Sequence, residues 1–173
     1  MDRSALIQKL RDTCRLSGEF RLRSGRGSAV YWDKYRFESD PVVLAAVADV
    51  LAALLPPGSR LAALEMGGIP VGVALSARTG VPCLFVRKRP KQYGTCQQIE
   101  GGFAPGDRVV LVEDVVTSGG AVCDAIEAAR AVGLITEHVL CVIDREQGGG
   151  EAFAALGCEL RAGFKMSELE TGG

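Results

Sequence analysis

Glu113 and Asp114 stand side by side at the end of an apolar run that starts at Arg108, and they lead into Val115, Val116, Thr117, Ser118, Gly119 and Gly120. Two adjacent carboxylates suit neighbouring sugar hydroxyls, because each can accept a hydrogen bond. The following loop can aim backbone N–H groups and the Thr117 and Ser118 hydroxyls at a phosphate, with a helix N-terminus behind them. A capped strand-to-helix turn uses the same residue types, so this segment alone leaves both readings open. A second loop holds Gly67, Gly68, Ile69 and Pro70. Paired glycines let backbone approach a bulky anion, and Pro70 fits a first helical turn. A third stretch, 87 to 91, holds Arg87, Lys88, Arg89 and Lys91 around Pro90. Such a run suits a solvated face, a nucleic-acid patch or a cationic lid over a polyphosphate.

These stretches need a frame that brings them together. Short apolar strands alternate with helical patterns, which predicts an α/β fold with a parallel sheet covered by helices. Strands are expected at 61–65, 83–87, 108–113, 138–143 and, more weakly, 159–161. Helices are expected at 4–16, 41–54, 69–79, 119–132 and 151–156. In the fourth helix Val122, Ala125, Ile126, Ala129 and Val132 share one face. The segment from Gly18 to Phe37 breaks that rhythm, and its alternation predicts a small hairpin or flap outside the main sheet. All three chemistry-bearing stretches then follow strands, where open α/β sheets bind ligands.

Composition removes several function classes. The chain has 173 residues, enough for one domain with one core. Lys and Arg number 20 against 21 Asp and Glu, so no global field draws it to nucleic acid or a membrane surface. Its six cysteines form no C-x-x-C pair, and they read as reduced, mostly buried thiols with Cys96 as the exposed exception. The single histidine, His138, excludes a Ser-His-Asp triad or a His-rich metal site and is expected to be structural. The most apolar segment, 42–55, is too short to span a bilayer and carries Asp49, and the N-terminus lacks a signal-peptide core. A cytoplasmic protein is expected.

An apolar strand followed by two acids, two apolar residues, Thr, Ser and Gly-Gly resembles the signature with which type I phosphoribosyltransferases bind phosphoribosyl pyrophosphate (PRPP). The resemblance narrows to the orotate phosphoribosyltransferase family through further ordered matches. These are 20–26 with Ser28 and Tyr31-Trp32-Asp33, then Ser39-Asp40-Pro41, the Gly67-Gly68 loop, Val86 through Lys91 and Gly94, Ile99-Glu100-Gly101, and Asp144-Arg145-Glu146. It implies a single type I phosphoribosyltransferase domain over 1–173, with a central, mostly parallel five-stranded sheet flanked by helices. Residues 1–40 would form an N-terminal helix and flap or hood, and 41–173 the core with a mobile loop at about 88–106.

Carried over residue by residue, the resemblance implies that Arg23, Gly67, Gly68, Arg87, Lys88, Lys91 and Tyr93 bind PRPP. Glu113 and Asp114 would hold the ribose hydroxyls, and Val115, Val116, Thr117, Ser118, Gly119 and Gly120 the 5'-phosphate. Tyr31, Trp32, Thr117 and Arg145 would bind orotate, and Lys88 and Asp114 would be catalytic. Magnesium is implied, held through PRPP oxygens and water with no direct protein ligand. A homodimer is implied, with the mobile loop completing the neighbouring site, and neither nucleic acid nor membrane is a partner. The chain departs from the family pattern at Arg23, usually lysine, at Tyr93, where many members have histidine, and at Ala29-Val30, which replaces a common Pro-Tyr. The expected reaction makes orotidine 5'-monophosphate and pyrophosphate, a step of pyrimidine biosynthesis. Two alternatives stand beside it: a PRPP-dependent transferase for another base, and a non-catalytic PRPP-binding regulator.

Overall fold

A computed structural model describes residues 1–21, 25, 27–94 and 96–171. Helix α1 (Arg3–Cys14) is capped by Asp2, whose carboxylate accepts from Ala5 N–H at 2.8 Å. It ends two residues before the expected Leu16, because Arg15 and Leu16 pair with Trp32 and Tyr31 in an antiparallel hairpin of β1 (Arg15–Arg21) and β2 (Gly27–Trp32). The hairpin is the flap the alternation predicted. The expected site residue Arg23 and most of the hairpin turn lie outside the described residues. A one-turn helix the pattern did not foretell, α2 (Tyr35–Glu38), then leads into α3 (Pro41–Ala52). There the Asp40 carboxylate accepts from Val42 and Val43 N–H, and Pro41 occupies the first turn.

The rest runs β3 (Arg60–Leu64), α4 (Gly68–Thr79), β4 (Cys83–Val86), β5 (Ile99–Glu100), β6 (Arg108–Val116), α5 (Gly120–Ala131), β7 (Ile135–Asp144), α6 (Gly149–Ala155), β8 (Glu159–Lys165) and α7 (Met166–Thr171), alternating as expected except for β5 and the short closing helix α7, which the pattern did not foretell. The main sheet has the order β5-β4-β3-β6-β7-β8. Five strands run parallel, as the resemblance implied; the sixth, β5, is a two-residue antiparallel edge that periodicity could not register because it is so short. Its presence also divides the expected 88–106 loop, since Ile99 is buried and paired with Val86.

One face of the sheet carries α1, α3, α4 and α7 over a core that includes Leu10, Phe37, Val47, Leu75 and Phe164; the other carries α5 and α6 over Leu111, Ile126, Val139 and Phe153. Burial on both faces explains why the central strands read as continuous Val, Leu and Ile rather than as alternation. All six cysteines are free, with Cys96 exposed, and His138 sits in β7 with Nε2 3.4 Å from a Glu159 carboxylate oxygen. No helix among the described residues is long and apolar enough to cross a membrane.

Candidate active site

Parallel strands point their carboxyl ends the same way, so the segments leaving β3, β4, β6 and β7 open on one side of the sheet. The acid pair is placed differently from the sequence expectation. Strand β6 does not end at Glu113 but pairs on with β7 through Val115 and Val116, opposite Ile143 and Asp144. The acids therefore lie within the ladder. Asp114 is wholly buried and Glu113 half-buried.

What surrounds Asp114 was not legible beforehand. The Lys34 ammonium lies 2.5 Å from Asp114 Oδ2, and the Glu38 carboxyl faces the Asp114 carboxyl from α2. A Cβ on Gly67 would stand 1.8 Å from Asp114 Oδ2, so only glycine leaves room for this cluster; a Cβ on Gly68 would meet Val112 O at 2.4 Å. Three carboxyls share one lysine. Burial first, and hydrogen bonding to Asp114 second, push both Glu113 and Glu38 up to about 9. For Asp114 burial works against ionisation, but hydrogen bonds from Glu113, Glu38 and Lys34 outweigh it and hold its carboxyl below the usual range. Near neutrality the cluster is thus one carboxylate, one ammonium and two carboxyls that keep their protons. Glu38 Oε1 and Asp114 Oδ2 have no aligned hydrogen-bond partner as bare acceptors, and a proton on Glu38 supplies one. Lys34 stands at the N-cap of α2 and Glu38 closes it, and a single turn leaves no periodic signal.

Next along the chain, Thr117 and Ser118 are exposed ahead of α5, while the Val116 side chain is buried, which leaves its backbone alone to face a ligand. Gly119 takes φ 81, a left-handed conformation open to glycine, and turns the chain into the first turn of α5. On one side of that turn a cavity of about 450 Å³ is lined by Glu65, Arg87, Lys88, Arg89, Ala121 and Asp124, among others. The Glu65 carboxylate accepts from Lys88 N–H at 2.7 Å and so ties the glycine loop to the start of the basic run. On the other side a cavity of about 370 Å³ is lined by Tyr31, Trp32, Lys34, Thr117 and Arg145, with Cys14 and Met166 in its wall. Ala121 borders both, so the two cavities share a wall residue in the first turn of α5, just past the expected phosphate loop.

Arg145 leaves β7 with its backbone N–H donating to Val116 O at 2.9 Å, and its guanidinium Nε is buried without a partner. A buried unpaired donor on a permanent cation is costly unless an anion completes it, which fits a base bearing a carboxylate. Tyr31 stacks on Phe20 with ring centroids 5.5 Å apart, so the flap presents a braced aromatic edge to the cavity. Ten expected residues among those described line neither cavity: Gly67, Gly68, Glu113, Asp114, Val116, Ser118, Gly119 and Gly120, and with them Lys91 and Tyr93. Tyr93 is 72% exposed, and Lys91 Nζ is held 2.7 Å from Glu100 Oε1. Among the described residues no group of three or more His, Cys, Asp or Glu side chains could hold a metal ion.

Comparison with known proteins agrees with this geometry. Residues 60–155 match the phosphoribosyl transferase domain family. An orotate phosphoribosyltransferase of Nocardioides sp. is 48% identical over 158 residues, covering 91% of this chain and 88% of that protein. One from Methanocella arvoryzae is 43% identical over 95% of each. Among solved structures, orotate phosphoribosyltransferase of Mycobacterium tuberculosis H37Rv in complex with Fe(III) dicitrate superposes with a TM-score of 0.88 at 30% identity, covering 98% of this chain and 99% of that one. The same enzyme in complex with PRPP gives 0.83 at 29% identity.

Proposed function

This chain belongs to the orotate phosphoribosyltransferase family, and we propose that the site around these two cavities carries out the family's reaction with the residues assigned above. The reaction transfers the 5-phosphoribosyl group of PRPP to orotate, giving orotidine 5'-monophosphate and pyrophosphate on the route to UMP. The observation that carries the assignment is the arrangement of charge along one edge of the sheet. Cations line the cavity at the β4 end, the acids and the loop after them belong to β6 between β4 and β7, and an unpaired buried guanidinium lines the cavity at the β7 end.

The 5'-phosphate sits at the Val115 to Gly120 loop and the helix end behind it. The ribose hydroxyls meet Glu113, then Asp114 once Lys34 gives way. Tyr31, Trp32 and Thr117 flank the acceptor ring, and Arg145 pairs with its carboxylate. A ring nitrogen of the orotate anion attacks C1'. The bond from C1' to the pyrophosphate oxygen breaks, and its electron pair leaves with pyrophosphate. Because the nucleophile enters as an anion, the step needs no protein base. Fixed positive charge at Arg87, Lys88 and Lys91 receives the developing negative charge, each key donor contributing on the order of 3 kcal/mol to the transition state in comparable sites. Magnesium, when bound, screens the pyrophosphate oxygens. We assign it to PRPP oxygens and water, because the acids of the site are already tied to Lys34 and to one another. The active species is read as a cytoplasmic homodimer in which the tip of the basic loop, with Tyr93, reaches the partner's cleft.

Mixing the purified protein with orotate, PRPP and magnesium should bleach orotate absorbance as orotidine 5'-monophosphate forms. Orotate left unconsumed while another base is consumed would reassign the acceptor. No consumption of any base would end the enzyme reading.

A further inference from the structure

Ile99-Glu100-Gly101 has no role in the chemistry so far, yet its carboxylate touches two of the cations that do. Glu100 Oε1 lies 2.9 Å from Arg87 Nε and 2.7 Å from Lys91 Nζ. These contacts, Lys91 first among the favourable ones, hold its carboxyl below the usual range. Its own position is fixed by the sheet. Glu100 pairs with Phe85 across β4, and Ile99 beside it is buried. Gly101, at φ 118, turns the chain so close to Leu84 that a Cβ would stand 2.8 Å from a Leu84 methyl. The two limbs of the basic loop are joined just beyond. Arg87 N–H donates to Gln98 O at 2.9 Å, and Gln98 Nε2 donates to Arg87 O at 3.0 Å. A carboxylate with two cations on one oxygen occupies the same donors that a phosphate oxygen would take.

We propose that Glu100 is a built-in stand-in for the pyrophosphate group, a positioning residue that holds Arg87 and Lys91 when the lid cations carry no substrate and is exchanged for phosphate oxygens when they do. This rests on the reading of the basic run as the pyrophosphate lid. A rigid competitor parks two flexible cations near their working position, and it also weakens the hold on the departing product. Its removal should therefore tighten pyrophosphate binding, where removal of an ordinary brace would loosen it.

The test is calorimetric titration of the full-length protein with inorganic pyrophosphate and magnesium. Glu100→Gln keeps the size of the side chain and should bind pyrophosphate roughly three- to tenfold more tightly, the range exposed ion pairs allow. Asp124→Asn removes the same charge from the wall of the cavity that Arg87 and Lys88 line, and it should gain clearly less. Unchanged or weaker binding by Glu100→Gln, or an equal gain by Asp124→Asn, would overturn the proposal and leave the transferase reading standing. A wild-type protein that does not bind pyrophosphate would remove both.

Discussion

The two ends of the site are built from opposite kinds of electrostatics. At the proposed sugar end, Asp114 is fully buried, its neighbours Glu113 and Glu38 keep their protons, and Lys34 reaches it from the N-cap of α2. At the proposed pyrophosphate end Lys88 and Arg89 are exposed, and the half-buried Arg87 and Lys91 lean on an edge-strand carboxylate. Charges removed from water act strongly and are screened little by salt, whereas surface charges act weakly one at a time and are easily screened. One end is therefore preorganised by folding. The other can release what it holds.

The sharpest way to separate the two ends is to remove one charge from each. Lys88→Ala should lower kcat about 10²- to 10³-fold with an unchanged melting temperature, because an exposed lid cation contributes to the transition state and not to the core. A near-normal kcat would break the contrast. Asp114→Asn should weaken PRPP affinity roughly tenfold and also destabilise the fold, since it leaves Lys34 without its counter-ion. Calorimetry with PRPP and a thermal melt read the two effects, and an unshifted melt would show that the acid end is no more structural than the lid. Gly67→Ala should cost about 1–3 kcal/mol of stability by driving a methyl into the Asp114 carboxylate, measurable by denaturant titration.

The acid end should also show itself in the pH dependence of stability. Glu38 and Glu113 have folded-state values raised from 4.5 to about 9, so their contribution is fully present below the unfolded value and is lost as pH rises through the folded one. The protein should thus lose stability between about pH 5 and pH 9, and Glu38→Gln should flatten that slope. Asp114, held low, has the opposite sign and matters only in more acidic solution. Melts that rise steadily across the same interval would deny the protonated carboxyls.

The same division governs what the sequence made visible. The strand-end motifs, the glycine loop and the basic run were readable because each concentrates unusual residue types within a few positions, and alternation of apolar runs with helical spacing gave all five parallel strands. The acid cluster was only half visible. Glu113 and Asp114 announced themselves, but Lys34 and Glu38 reach them from the N-cap and the last residue of a four-residue helix far away in the chain, and a single turn is too short to carry a period. Strand β6 ran past the acids for a related reason. Its end is decided by pairing with β7, a long-range choice that local residue types do not encode. The contact of Glu100 with Arg87 and Lys91 was hidden similarly, since a two-residue strand has no alternation to detect and Glu100 looks like any surface acid until β4 is beside it.

The acceptor pocket also takes wall residues from both extremities of the described chain. Cys14 closes α1, Met166 opens α7, and the two helices are fastened to each other where Arg11 Nε donates to Leu169 O at 2.7 Å. Truncation at residue 165 would spare every β-strand and the proposed phosphate loop, yet it would take away part of the wall of the cavity we assign to the base. Such a shortened protein should retain PRPP while losing its discrimination among bases, so loss of the final helix would be felt first as poor taste in partners rather than as collapse.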